Sequence, residues 1–199
     1  MNKILVLSPH PDDGLLGCGG TISRFIEEGK EVWYVIFSES KQGFSPEEIE
    51  NSILALGIKR DHIISYNFPV RKFNECRQEI LQFLVDLRAK IAPDLVLCHS
   101  SADTHQDHEI VRREAFRAFK QHSIWGYDLP WNTRNFKSDI FVPLEERNVE
   151  TKTKALDFIT SQKDRKYYNS IKRMATSVST GEKIGKDYAE AFESISQIL

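Results

Sequence analysis

Apolar positions over the first hundred residues follow two alternating rhythms. Ile4-Leu5-Val6-Leu7 is a continuous apolar run within residues 3–8, and Val32 to Phe37 forms another within Glu31–Ser38. Unbroken β-prone runs of this kind suit strands covered on both faces. Between them, residues 20–29 put Ile22, Phe25 and Ile26 on one helical face, with Gly29 as the stop. A polar loop over Glu39–Phe44 leads to Ser45-Pro46-Glu47-Glu48. There Ser45 caps a helix, Pro46 takes its first position and Glu48 closes a capping box. That helix carries Ile49, Ile53, Leu54 and Leu56 inward and ends at Gly57. Ile63–Tyr66 predicts a third strand, and residues 74–91 a helix with Ile80, Leu81, Leu84, Leu87 and Ile91 at helical spacing. Asp94–Cys98 follows Pro93 as a fourth strand.

Four βα units predict an α/β fold, a doubly wound, mostly parallel sheet with helices on both faces. Right-handed crossovers give the order 3-2-1-4, so strands one and four adjoin at the switch point, and ligands bind outside their carboxyl ends. The second half is less regular, with expected strands at Ile124–Tyr127 and Ile140–Val142 and helices at about 145–160 and 162–175. No repeat or linker divides the chain, so residues 1–199 are expected to form a single domain: a Rossmann-like half, 1–120, and a variable half, 121–199.

Composition narrows the partners. With 27 basic and 29 acidic residues the formal charge is −2, and the pI is near 6.3. Neither nucleic acid nor an anionic membrane is indicated. Cys18, Cys76 and Cys98 lack CxxC spacing, so no disulfide framework or thiolate zinc site is expected; Cys18 and Cys98 read as small buried hydrophobes. The apolar run before Ser8 is too short for a signal segment or a membrane span, and a cytoplasmic location is expected.

The candidate chemistry lies at two strand ends. His10-Pro11-Asp12-Asp13 follows strand one and precedes the small-residue loop Gly17-Cys18-Gly19-Gly20-Thr21. Thr104-His105-Gln106-Asp107-His108 follows strand four at the start of a helix through Val111, Ala115 and Phe119. Alone, the first motif reads as a turn with a capping aspartate, and the second as surface or helix-capping histidines. Facing each other across the switch point, they read as a metal site. A catalytic zinc takes three N/O ligands and keeps one position open. His10, Asp13 and one histidine of the second loop supply such a set. Asp12 is then placed as a general base, the other second-loop histidine as oxyanion stabiliser or acid, and Asp107 as an orienting carboxylate. The implied reaction class is metal-assisted hydrolysis of an amide or ester. His99 either lines this pocket or packs beneath it, while His62 and His122 read as surface residues.

The two motifs together resemble the LmbE-like, or PIG-L, family of zinc-dependent N-deacetylases. Ser8-Pro9-His10-Pro11-Asp12-Asp13-Gly14 through Thr21 matches its first loop, and His105-Gln106-Asp107-His108 its second. Glu47 to Gly57 and Tyr188-Ala189-Glu190-Ala191-Phe192 agree more loosely. The resemblance implies that His10, Asp13 and His108 bind Zn2+, though a His₂Asp site also accepts other divalent transition metals. It implies Asp12 as the base and His105 as the catalytic histidine supported by Asp107. The implied substrate is a small N-acetylglucosamine conjugate, with the variable half shaping its pocket. Gly14 stands where the family usually has glutamate. Ser45 stands where many members have arginine, a contact that Lys41, Arg71 or Arg134 could supply. Trp125, Trp131 and Phe136 could floor a sugar site or pack a homo-oligomer interface, and Trp131-Asn132-Thr133-Arg134 is a candidate substrate loop.

Three rival readings are weaker. Gly17, Gly19 and Gly20 miss the spacing of a dinucleotide-binding loop, and Asp12 and Asp13 would repel a pyrophosphate. A metallo-β-lactamase-like motif would need histidine where Asp103 stands. A binding protein without catalysis would have no need of Asp12.

Overall fold

The computed structural model describes residues 1–38 and 43–198. Most of the polar loop, with Lys41, lies outside them. Seven strands form one sheet: β1 (Lys3–Ser8), β2 (Glu31–Ile36), β3 (Ile63–Ser65), β4 (Leu95–His99), β5 (Ser123–Tyr127), β6 (Ile140–Leu144) and β7 (Tyr188–Ser196). Their spatial order is β3-β2-β1-β4-β5-β7-β6. The first five run parallel, while β7 is antiparallel to both β5 and β6. The expected order 3-2-1-4 is present, with β1 beside β4 through Ile4↔Leu95 and Val6↔Leu97.

Helices α1 (Asp13–Glu27), α2 (Pro46–Ala55) and α5 (Glu146–Asp157) share one side of the sheet, and α3 (Arg77–Ile91) and α4 (Gln106–Ala118) the other. The pleat explains why β1 is apolar throughout. Ile4 and Val6 join one core with Leu15, Ile22, Ile53 and Val149, whereas Leu5 and Leu7 join the other with Phe37, Leu84 and Val111. Cys18 and Cys98 are buried within these cores, and the free thiols form no disulfide. The Ser45–Glu48 capping box is present at α2. A sixth helix, α6 (Ser170–Glu182), precedes β7.

Three expectations are corrected. Gly17–Thr21 is not a loop but lies inside α1, which breaks at Cys18 (φ −143°, ψ 23°). The broken helix exposes amides of a second N-terminus, and a distant carboxylate accepts them: Gly20 N donates to Glu190 Oε1 (3.1 Å) and Thr21 N to Glu190 Oε2 (2.7 Å). Next, Tyr188–Ser196 is a strand that periodicity did not predict. Two of its buried positions are Glu190 and Glu193, each held by specific partners, so the apolar alternation is hidden. Lastly, the helix expected at 162–175 is a 3₁₀ turn at Lys166–Tyr168 followed by α6. Ser177 and Thr180 of α6 bond back to the carbonyls of Arg173 and Thr176, a local pairing that masks a helix in sequence.

Candidate metal centre

The loop after β1 is a closed network of short-range bonds. Ser8 Oγ donates to the His10 carbonyl (2.5 Å) and accepts from Gly14 N (3.0 Å), and His10 N donates to Asp13 Oδ2 (2.8 Å). Tyr34, from β2, locks it from below: its hydroxyl donates to the Pro11 carbonyl (3.0 Å) and accepts from Leu15 N (3.2 Å). The departure at Gly14 has a physical partner here. A Cβ at position 14 would lie 2.8 Å from the Tyr34 hydroxyl and 2.9 Å from Val6 Cγ1. Tyr34 fills the space that a larger residue at position 14 would need.

The loop after β4 is organised by Asp103. Its Oδ1 accepts from His105 N (2.8 Å), and its Oδ2 meets His108 Nδ1 (2.8 Å). Asp107 faces the other way: its carboxylate meets His10 Nε2 (3.3 Å) and accepts from Arg71 N (2.7 Å). Asp107 reaches His105 only through the backbone, its N–H donating to His105 Nδ1 (3.2 Å). Arg71, at φ +64°, holds a left-handed backbone that turns it into the site.

The two loops converge as the topology requires. His10 Nδ1, Asp13 Oδ2 and His108 Nε2 form a triangle with edges of 3.1, 3.3 and 3.1 Å. Donors bound tetrahedrally at about 2.0–2.1 Å lie about 3.3 Å apart, so the residues fit a zinc-sized cation. The opposite ring nitrogen of each histidine meets a carboxylate, Asp107 for His10 and Asp103 for His108. This arrangement orients metal-binding imidazoles and raises their basicity. Two other groupings are geometrically able to hold an ion, His10–His105–His108 and Asp13–His99–His108. Among the described residues the His105 ring meets no carboxylate within hydrogen-bond distance, its Nδ1 accepting from Asp107 N, and His99 Nε2 stands 3.7 Å from Asp13 Oδ2. The His10–Asp13–His108 triangle has edges of 3.1, 3.3 and 3.1 Å and both supporting carboxylates.

Charge reinforces this reading. Asp12, Asp13, Asp103 and Asp107 are all buried around buried His10, His99 and His108. Burial alone would discharge His10, but Asp13, Asp107 and Asp12 hold it up at about 10. Asp13 and Asp103 likewise outweigh burial at His108, raising it to about 9. The carboxylates thus hold positive charge on the two imidazoles. The adjacent aspartates are driven apart. Burial and the Asp13 charge lift Asp12 to about 6, against an opposing hydrogen bond from Tyr168. Asp13, despite burial, is held well below the usual range by His108 and His10. Burial and the neighbouring His108 and His10 lower His105 to about 4, so it is neutral near pH 7 with its proton on Nε2.

Asp12, His105, Arg71, Trp131 and Asn132 line a cavity of about 800 Å³ with the triangle residues. The Trp131–Asn132 segment thus reaches the site. Trp125, by contrast, is a buried residue packed on Phe192. His99 packs beneath the pocket against His108, with ring centroids 3.8 Å apart. His62 stacks on Trp33 and His122 packs on Phe119, both away from the site. Sequence reasoning missed three contributors. Tyr34 lies within an apolar strand, and Asp103 looked like a rival motif's missing histidine. Tyr168, whose hydroxyl donates to Asp12 Oδ2 (2.7 Å), lies in an aperiodic turn.

An open α/β sheet with a buried His/Asp cluster at its switch point defines a class of candidate metallohydrolases. The family model described as "PIG-L: GlcNAc-PI de-N-acetylase" matches residues 5–119, and the chain belongs to that family. It is 25% identical over 164 residues to the diacetylchitobiose deacetylase of Thermococcus kodakarensis, covering 75% of this chain and 58% of that protein. The chain thus spans less than two thirds of that relative's length. It is 27% identical to the uncharacterized deacetylase YaiS of Escherichia coli K12, covering 77% of this chain and 88% of the relative. Among solved structures it is similar to the conserved protein TT1542 from Thermus thermophilus, with TM-score 0.81 and 26% identity over 100% of this chain and 97% of that one. Among the described residues, no helix is long and apolar enough to cross a membrane.

Proposed function

We propose that this protein is a divalent-metal-dependent hydrolase that removes the N-acetyl group from a small N-acetylglucosamine-type conjugate. His10, Asp13 and His108 hold the ion, with zinc the best fit to the donor set. The observation that carries this reading is the donor triangle with Asp12 in the same cavity but outside the triangle. The deacetylase relative and the family model supply the acyl sugar as substrate class.

When bound, the ion supplies Lewis acidity to the attacking water and the scissile carbonyl. Asp12 takes a proton from that water as its oxygen bonds to the carbonyl carbon, and returns it to the nitrogen as the C–N bond breaks. Acetic acid and the amine leave, and the acid's proton passes to the amine in water to give acetate and the ammonium. Tyr168 O–H holds Asp12 Oδ2 in place for both transfers. His105, neutral and protonated on Nε2, donates to the carbonyl oxygen as negative charge develops there. Asp103 and Asp107 fix the tautomers of His108 and His10.

The test combines metal analysis with released acetate from a panel of N-acetylglucosamine conjugates. Asp12→Ala is expected to keep the ion and lose at least about 10²–10⁴ of the rate. His108→Ala is expected to lose the ion. Protein purified without chelator that carries no stoichiometric divalent ion would refute the mechanism.

A further inference from the structure

The carboxylate assigned as base is held from the far end of the chain. Among the described residues, Tyr168 is the one side chain that hydrogen-bonds Asp12, its hydroxyl donating to Oδ2 at 2.7 Å. Burial and the Asp12 charge raise the Tyr168 hydroxyl, so it stays protonated and remains a donor. The backbone that carries it is a single 3₁₀ turn, Lys166–Tyr168, in which Tyr168 N donates to the Arg165 carbonyl (2.9 Å). So short a turn leaves its last carbonyl without a helical partner. Tyr167, in the same turn, lines the metal cavity and stacks on Trp131 with ring centroids 4.1 Å apart. One wall of the cavity and the partner of the base thus depend on what fixes this turn.

Arg173, in the first turn of α6, reaches back to it. Its Nη1 donates to the Tyr168 carbonyl, and the Asp157 carboxylate at the end of α5 stands 3.6 Å from Nη2. The Arg173 side chain is only 8% exposed, whereas that of Asp157 is 68% exposed. Nε and Nη2 are buried without a hydrogen-bond partner among the described residues. An ion pair with an exposed carboxylate adds little stability, and burying a guanidinium with unmatched N–H groups costs it. As a stabiliser alone Arg173 is therefore poorly placed. The hydrogen bond it does make goes to the residue that holds Asp12.

We propose that Arg173 is a positioning residue for Asp12: by gripping the Tyr168 carbonyl it fixes the turn from which the Tyr168 hydroxyl holds the carboxylate. The inference rests on the deacetylase reading above and extends its machinery to α6. Arg173 is not among the residues that line the metal cavity, so its effect on the base passes through Tyr168.

The experiment is a double-variant cycle on the intact, zinc-loaded chain, read as kcat and KM for an N-acetylglucosamine conjugate. Tyr168→Phe removes only the hydroxyl and is expected to lower kcat about tenfold or more, the scale of a hydrogen bond to a charged group. Arg173→Met, which has no donor, is expected to lower kcat about fivefold or more with KM changed by less than about twofold. Arg173→Lys still donates to the carbonyl and is expected to recover to within about threefold of wild type. The combined Arg173→Met/Tyr168→Phe protein is expected to match Tyr168→Phe within about twofold, because the route is already cut. Losses that multiply in the combined protein overturn the proposal, as does an unchanged kcat in Arg173→Met. Arg173→Gln, which keeps a polar group in the buried position, carries the same cycle if Arg173→Met fails to fold.

Two readouts are independent of turnover. Backbone hydrogen exchange over residues 165–169 is expected to quicken about tenfold in Arg173→Met, with β1 unchanged. Zinc affinity in a chelator competition is expected to stay within about twofold of wild type, since the ligands are untouched. Quickened exchange supports the grip on the turn even if no conjugate is deacetylated, an outcome that sinks only the deacetylase reading. Unchanged exchange, or zinc affinity weakened about tenfold, sinks the positioning role alone.

Discussion

Substituting Glu190→Gln tests how β7 holds α1, the helix that follows the His10–Asp13 loop. The Glu190 carboxylate accepts from Gly20 N and Thr21 N at the break in α1 and from Lys152 Nζ at 2.7 Å. All three partners donate, and the side chains of Lys152 and Glu190 are only 10% and 6% exposed. Glutamine keeps one accepting oxygen and turns an NH₂ group toward donors. It also leaves the Lys152 ammonium buried without a counter-charge. Removing one partner of a buried pair costs about 3–5 kcal/mol. For a chain of this size that lowers Tm by about 6–20 °C. The reciprocal change should be milder. Lys152→Met leaves Glu190 its two backbone donors, whereas in Glu190→Gln the ammonium keeps no other hydrogen-bonded partner among the described residues. In the double variant the stranded charge is gone, so part of the loss returns and the two changes are non-additive by about 2 kcal/mol or more. Urea unfolding followed by tryptophan fluorescence measures all four proteins. A Glu190→Gln loss below about 0.5 kcal/mol, or a larger loss in Lys152→Met, would show that Glu190 does not cap the broken helix.

Other expectations follow from single contacts. Asp103→Ala frees His108 Nδ1 and should weaken metal binding about 10–100-fold in a chelator competition, with a far smaller change in rate at saturating metal. Unchanged affinity would remove Asp103 from the centre. Gly14→Ala places a methyl group 2.8–2.9 Å from Tyr34 and Val6 and should destabilise by about 1–3 kcal/mol in chemical denaturation. A neutral result would mean that Tyr34 yields easily. Burial would raise Glu48, but bonds from Thr160, Ser45 and Ser161 lower it from 4.5 to about 2. Its stabilisation is therefore full above pH 4.5 and lost as pH falls toward 2. Glu48→Gln should be less stable than wild type at pH 7 and equal to it near pH 2. A pH-independent difference would contradict the assigned contacts.

Much of the first half was legible along the chain. The apolar run of β1, the helical spacing of α3 and the capping box of α2 are decided by residues near one another, so local pattern and turn chemistry suffice to read them. Handedness and crossover rules then place β1 beside β4, and with them His10 and Asp13 opposite His108. The division of labour within the site was not legible. That Asp107 serves His10, that Asp103 serves His108 and that Tyr34 occupies the space beside Gly14 are facts of side-chain packing. Tyr168 reaches Asp12 across 156 positions, and Glu190 reaches Gly20 across 170. No periodicity records such pairs. A buried polar group is stable only where a partner of matching donor or acceptor character meets it. The chain alone determined which strands converge and which donor side chains they carry. The tertiary structure decided which carboxylate steadies which imidazole, because that choice depends on three-dimensional distance and not on spacing along the backbone.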